Sequence, residues 1–246
     1  MPVACRATVE FEAQAGAVED AVPMQPFVRR DGGERYVSAT ALMPVSLSVL
    51  DGGVHVASTF EPNLISGPTF ARFIMGTAVA VAVVAVDSLL VHGCAMVSPQ
   101  GRTWLFLGAS GEGKTTMTRR LPGWRSLSDD TVLLEAPTDG HGPRVSGTVF
   151  SGRELTPRWG ERHTLDHIAI LSPHAPRVAL EPVAEARGFS ALCNRAFFPL
   201  VDGPLPAQVV DIAAQVADDV SCFELRSGLE HDVASILEAV GPGSAG

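Results

Sequence analysis

Apolar and polar residues alternate through 27–60, a period-two pattern that predicts short antiparallel strands at Tyr36–Thr40, Val45–Leu50 and Val54–Phe60. Asp51-Gly52-Gly53 between the last two is a hairpin turn signal. Ala7–Phe11 alternates as well and reads as a further strand. After a connection at 61–68 the pattern changes to a continuous apolar run rich in alanine and valine, at 74–86. It predicts a buried helix ending near Asp87 or Ser88, with a strand inside 77–86 as the alternative because valine favours sheets. At about 13 residues the run falls short of the roughly 20 that span a bilayer.

A second block of elements follows. The pattern predicts a strand at 89–97, and then a hairpin in which Pro99-Gln100-Gly101-Arg102 separates Met96–Val97 from Leu105–Leu107. A short helix runs from Lys114 to Leu121 and stops before Pro122-Gly123, with Arg119 and Arg120 facing water in its last turn. Apolar strand material flanks Asp129-Asp130, and 136–144 is a loop. Strands are expected at Val145–Phe150, Ile168–Leu171 and Val220–Leu225. Helices are expected at Phe189–Phe197, holding Arg195 inside or beside apolar packing, and at 205–220 and 229–240. The organisation reads as a strand-rich region at 1–66 packed on a core, a larger domain at 67–240 and a tail at 241–246. The fold class is α/β with mixed sheets and a small antiparallel sheet at the amino-terminal end.

Candidate chemistry concentrates at 104–116, WLFLGASGEGKTT, which contains G-x-x-x-x-G-K-T with Gly108, Gly113, Lys114 and Thr115 in position. A buried strand enters it and a helix leaves it. Phosphate oxygens need dense donors, and glycines at 108, 111 and 113 let successive backbone N–H groups turn inward. Lys114 would reach the β and γ phosphates as a point charge, and the Thr115 hydroxyl would face Mg²⁺. Ala109, Ser110, Glu112 and Thr116 complete the cofactor-binding set. Asp129 and Asp130 lie fifteen residues beyond Lys114. Neighbouring side chains on a strand face opposite ways, so one carboxylate would hold Mg²⁺ and the other would take a proton from an attacking hydroxyl or water. The residues leave open which does which. His92, expected at a strand end, would orient a carboxylate or touch the transferred group. The charge-dense stretch from Gly152 to Arg162, continuing to His163, is the expected substrate lid; Glu154 is a further metal carboxylate there, and an arginine of this stretch would neutralise developing charge.

The run from His92 to Glu135 resembles the catalytic domain of HPr kinase/phosphorylase and its bacterial relatives. The resemblance rests on His92-Gly93, the loop at 108–115, Ser128-Asp129-Asp130 and the short gap between loop and aspartates; GTVFSGREL at 147–155 resembles a further family stretch. It implies a PEP-carboxykinase-like P-loop core, ATP and Mg²⁺ at the loop, Asp130 or Asp129 as general base, and His92 beside the reacting phosphate. The chain shows neither a separate amino-terminal domain of the full HPr kinase type nor that family's second signature, which argues against HPr as substrate. Shorter relatives include serine kinases of precursor peptides, lasso-peptide precursors among them. Family hexamers imply a homo-oligomer.

Composition narrows the partners. A net charge of −9 in 246 residues gives no basic surface for nucleic acid. Cys5, Cys94, Cys193 and Cys222 have no metal-ligand spacing and read as free thiols of a reducing, cytoplasmic compartment. No signal peptide or membrane span is expected. The favoured function is an ATP-dependent kinase of a hydroxyl-bearing peptide or protein, most plausibly at serine. A nucleotide hydrolase and a nucleotide-binding accessory protein are the alternatives.

Overall fold

The computed structural model describes residues 6–13, 27–30, 35–40, 43–50, 53–60, 76–84, 86–109, 111–148, 161–197, 200–201, 205–228 and 232–241. They form a mixed α/β fold with multi-stranded sheets and several helices. The chain divides into two compact units, Met1–Ser88 with Phe197–Val209, and Leu89–Ala196 with Val210–Gly246.

The first unit holds β1 (Arg6–Ala13), β2 (Phe27–Arg30), β3 (Arg35–Thr40), β4 (Met43–Leu50), β5 (Gly53–Phe60) and β14 (Leu200–Val201), in the order β1-β5-β4-β3-β2-β14. The hairpin signal is met: Leu50 pairs with Gly53 across β4 and β5. The expectation of an antiparallel sheet holds only for its middle. β1 runs parallel to β5 and β14 parallel to β2. Parallel pairs cannot be joined by tight turns, so both edge strands come from distant parts of the chain, which local alternation does not reveal. The apolar run at 74–86 resolves as a helix, α1 (Gly76–Val84), lying against β4 and β5. Ala80, Ala82 and Val84 are all buried, as befits a helix that is apolar around its circumference.

The second unit is built on β6 (Ser88–Val97), β7 (Thr103–Leu107), β8 (Arg125–Ser128), β9 (Thr131–Glu135), β10 (Arg144–Gly147), β11 (Arg162–Thr164), β12 (His167–Pro173), β13 (Ala179–Pro182) and β15 (Ser221–Ser227). The path is β11-β10-β9-β6-β7-β12-β15-β13, with β8 also paired to β6. Every residue of β7 is buried. Its neighbours explain why: β6 runs antiparallel on one side and β12 parallel on the other, so a near-continuous apolar run is the stable composition. Helices α2 (Lys114–Arg120), α3 (Glu185–Arg195), α4 (Leu205–Asp219) and α5 (Ala234–Glu238) complete the described elements. Met117 and Leu121 join Met96, Trp104, Phe106 and Leu237 in the core. Arg120, expected in water, instead donates to the Ser227 hydroxyl and the Gly228 carbonyl at 3.3 and 2.9 Å.

His167 is fully buried, 4.4 Å from the Trp104 ring centroid, and neither ring nitrogen has a hydrogen-bond partner. Burial pushes its pKa down, so the ring is held neutral. No helix among the described residues is long and apolar enough to cross a membrane. Cys94, Cys193 and Cys222 are free thiols.

Candidate functional site

The glycine-rich loop leaves the sheet at the carboxyl end of β7. β12 is parallel to β7 with Ile170 beside Leu107 and runs on to Pro173, so the loop leaves at the carboxyl edge of parallel strands, where α/β sheets leave room for ligands. Gly111 and Gly113 adopt left-handed φ values of 85° and 96°. A residue with a Cβ would be strained at either position, so the two glycines permit the reversal that turns the chain into α2 at Lys114. The Glu112 N–H donates to the Ala109 carbonyl at 3.2 Å, and the Glu112 carboxylate accepts from the Ala109 N–H. Glu112 therefore braces the loop from within. Its carboxylate lies 3.1 Å from where a Cβ on Gly108 would stand, so a side chain at 108 would press on this brace and ask it to give by a few tenths of an ångström. Ser110 lies outside the described residues.

Lys114 is 6% exposed. Its ammonium donates to the carbonyls of Gly108 and Ala109 at 2.9 and 2.8 Å, folding back over its own loop. Burial, then the Arg195 guanidinium, push its pKa down, and Asp130 and Glu112 partly offset them. Thr115 is exposed and Thr116 half-buried on the first turn of α2.

Asp129 and Asp130 sit in the bend between β8 and β9, which Ser128 fastens by donating to the Thr131 carbonyl at 2.7 Å. The bend separates the two carboxylates. Asp129 is 2% exposed and close enough to the buried Cys94 thiol to push its pKa up, adding to the larger effect of burial. Asp130 is 34% exposed, with Oδ1 3.3 Å from the His92 Nδ1. The Asp130 carbonyl also accepts from the Gly93 N–H at 3.0 Å, which pins the bend to β6.

His92 lies in the middle of β6 rather than at a strand end. The register explains how it still reaches the site. β6 pairs with β7 only from Gly93, opposite Leu107, onward, so His92 is the first residue beyond that ladder and stands level with the Gly108 turn. Gly93 itself has no room for a side chain, since an added Cβ would stand 2.9 Å from Leu105 Cδ1. Burial and the Lys114 charge lower the His92 pKa, against a smaller upward effect of Asp130.

Lys114, His92 and Asp130 are thus brought together, while Asp129 is buried near the Cys94 thiol. Glu154, with Arg153 and Arg158, lies outside the described residues. The described end of the charged stretch forms surface pairs: Glu161 with Arg125 and His163, and Arg162 with Glu135 at 3.0 Å. Among the described residues no group of three or more His, Cys, Asp or Glu is placed to hold a metal ion. A cavity of about 210 Å³ opens between the loop and α3, lined by Gly108 and Glu112 on one side and by Arg187, Asn194 and Arg195 on the other. The contribution of α3 was missed in the sequence, where Arg195 has only an apolar context to mark it. No protein-family model matches this chain, and no curated protein is similar to it at a significant level.

Proposed function

We propose that the chain is an ATP-dependent, Mg²⁺-assisted phosphotransferase acting on a hydroxyl group, most plausibly a serine of a peptide or protein. The fold proposed with it is the PEP-carboxykinase-like P-loop core of the HPr kinase-like proteins. The observation that carries this reading is the convergence of one buried lysine, one histidine and one half-exposed aspartate at the glycine-rich turn.

In the proposed reaction the acceptor oxygen attacks the γ-phosphorus, the bond from that phosphorus to the β,γ-bridging oxygen breaks, and ADP leaves. The acceptor proton passes to the Asp130 carboxylate. Lys114 exchanges its two carbonyl partners for phosphate oxygens and so follows the charge as it forms. A histidine kept neutral by burial donates one N–H and accepts at its other nitrogen, so His92 suits the role of orienting Asp130. The Thr115 hydroxyl would hold Mg²⁺, which binds few protein oxygens and keeps phosphate and water ligands, leaving Asp130 free to take the proton. When bound, the ion would neutralise phosphate charge. Asp129, buried, is the less suited of the two carboxylates.

The experiment is incubation with γ-labelled ATP, Mg²⁺ and seryl peptides encoded by neighbouring genes, with mass spectrometry of the products. Asp130→Asn is expected to lower transfer at least 100-fold and leave ATP binding within about threefold, the ordinary scale of a general base. Unimpaired transfer in that variant sinks the role of Asp130. Nucleotide hydrolysis is the second reading, favoured by the 34% exposure of Asp130. It predicts phosphate release without any peptide.

A further inference from the structure

The cavity beside the loop is one-sided in its chemistry. Arg187 and Arg195 both line it from α3, yet they are differently committed. Arg187 is paired with the buried Glu224 at 2.6 Å. No carboxylate pairs with Arg195 among the described residues, and it stands on the cavity wall across from Gly108 and Glu112 of the loop.

The backbone forces this approach. Ala196 forms an antiparallel bridge with Val91. The bridge brings the carboxyl end of α3, and Arg195 with it, beside the stretch of β6 that carries His92. A cation in the last turn of a helix suits the negative end of the dipole, but a solvent-facing side chain would serve that purpose equally. Placing it on the wall of an open cavity without a carboxylate partner leaves its charge to be met by a ligand of opposite sign. Carboxylates at the site are Glu112, already accepting from the Ala109 N–H, and Asp130, already against His92. The cavity wall itself carries two guanidinium groups, Arg187 and Arg195, against one carboxylate, Glu112, a balance that matches an anionic ligand.

We propose that Arg195 contacts the terminal phosphate of a bound nucleoside triphosphate, closing the site from α3 while Lys114 holds it from the loop. This rests on the nucleotide reading above. A guanidinium offers a planar pair of donors to phosphate oxygens, which a helix held at its end by a backbone bridge can present in a set direction.

The test is calorimetric titration of ATP and of ADP, each with Mg²⁺, into the full chain and into Arg195→Ala and Arg195→Lys, with thermal unfolding of each. Arg195→Ala is expected to weaken ATP at least tenfold and ADP less than twofold. Arg195→Lys should recover part of the ATP loss, because charge is restored without the paired donors. Equal losses for both nucleotides, or none, overturn the contact with the terminal phosphate. If the unaltered chain binds neither nucleotide, the nucleotide reading itself is wrong and the inference goes with it. Should Arg195→Ala fail to fold, the Lys variant carries the test: an unchanged ratio of ATP to ADP affinity overturns the proposal.

Discussion

Lys114→Ala isolates the electrostatic centre of the site. The ammonium makes hydrogen bonds of 2.9 and 2.8 Å to the Gly108 and Ala109 carbonyls. Each hydrogen bond to a charged group contributes about 1.5–3 kcal/mol. In the proposed function, binding a triphosphate would give up both and gain stronger ones to anionic oxygens, so only the surplus would appear as affinity. Taking that surplus as one such bond, the alanine variant should bind ATP with roughly 10- to 150-fold lower affinity, at about 1.4 kcal/mol per decade. Stability should change little. Burial and Arg195 already disfavour the charged amine in the folded chain, so deletion removes a penalty together with the two bonds. Calorimetric titration reads the affinity and thermal unfolding reads the fold. Lys114 is also the only lysine in the chain, so reductive methylation with labelled formaldehyde gives one lysine signal whose titration should move upward when ATP is added. An affinity within twofold of the parent, in a variant that still melts cooperatively, would refute the reasoning.

Two further predictions test the packing that supports the site. Gly188→Ala in α3 places a Cβ 2.4 Å from the Cys222 Sγ, and should destabilise by about 1–3 kcal/mol, the usual cost of overpacking. Cys222→Ala should relieve part of that cost, and strictly additive denaturant midpoints for the double variant would deny the clash. His167 is held neutral below its ordinary value of 6.5, so beneath about pH 6.5 the unfolded chain binds the extra proton first. Stability therefore falls as pH drops through the window between 6.5 and the lowered folded value, by up to about 1.4 kcal/mol per pH unit for one proton. His92 adds to the same limb. His167→Leu should flatten it in urea titrations at pH 7.5 and 5.5; an identical slope would place the proton uptake elsewhere.

Local chemistry made much of this legible in advance. The strand–turn–helix at 103–120 follows from an apolar run, left-handed glycines and a proline stop, all written within twenty residues. The hairpin at Leu50–Gly53 follows from an equally short rule, its turn residues, whereas Asp129 and Asp130 are separated by the bend between β8 and β9 and not by the strand alternation expected of them.

What only the tertiary structure decided depends on residues far apart in the chain. The sequence by itself determined the loop, its lysine and the acidic bend. Register decided that His92, in mid-strand, stands level with Gly108, and that Asp130 rather than Asp129 faces it. The parallel edge strands, the Glu112 brace and the approach of Arg195 through the Val91–Ala196 bridge were likewise settled by long-range pairing. The physical reason is that turn and helix signals act through neighbouring backbone atoms, whereas charges meet only where separate strands and helices pack.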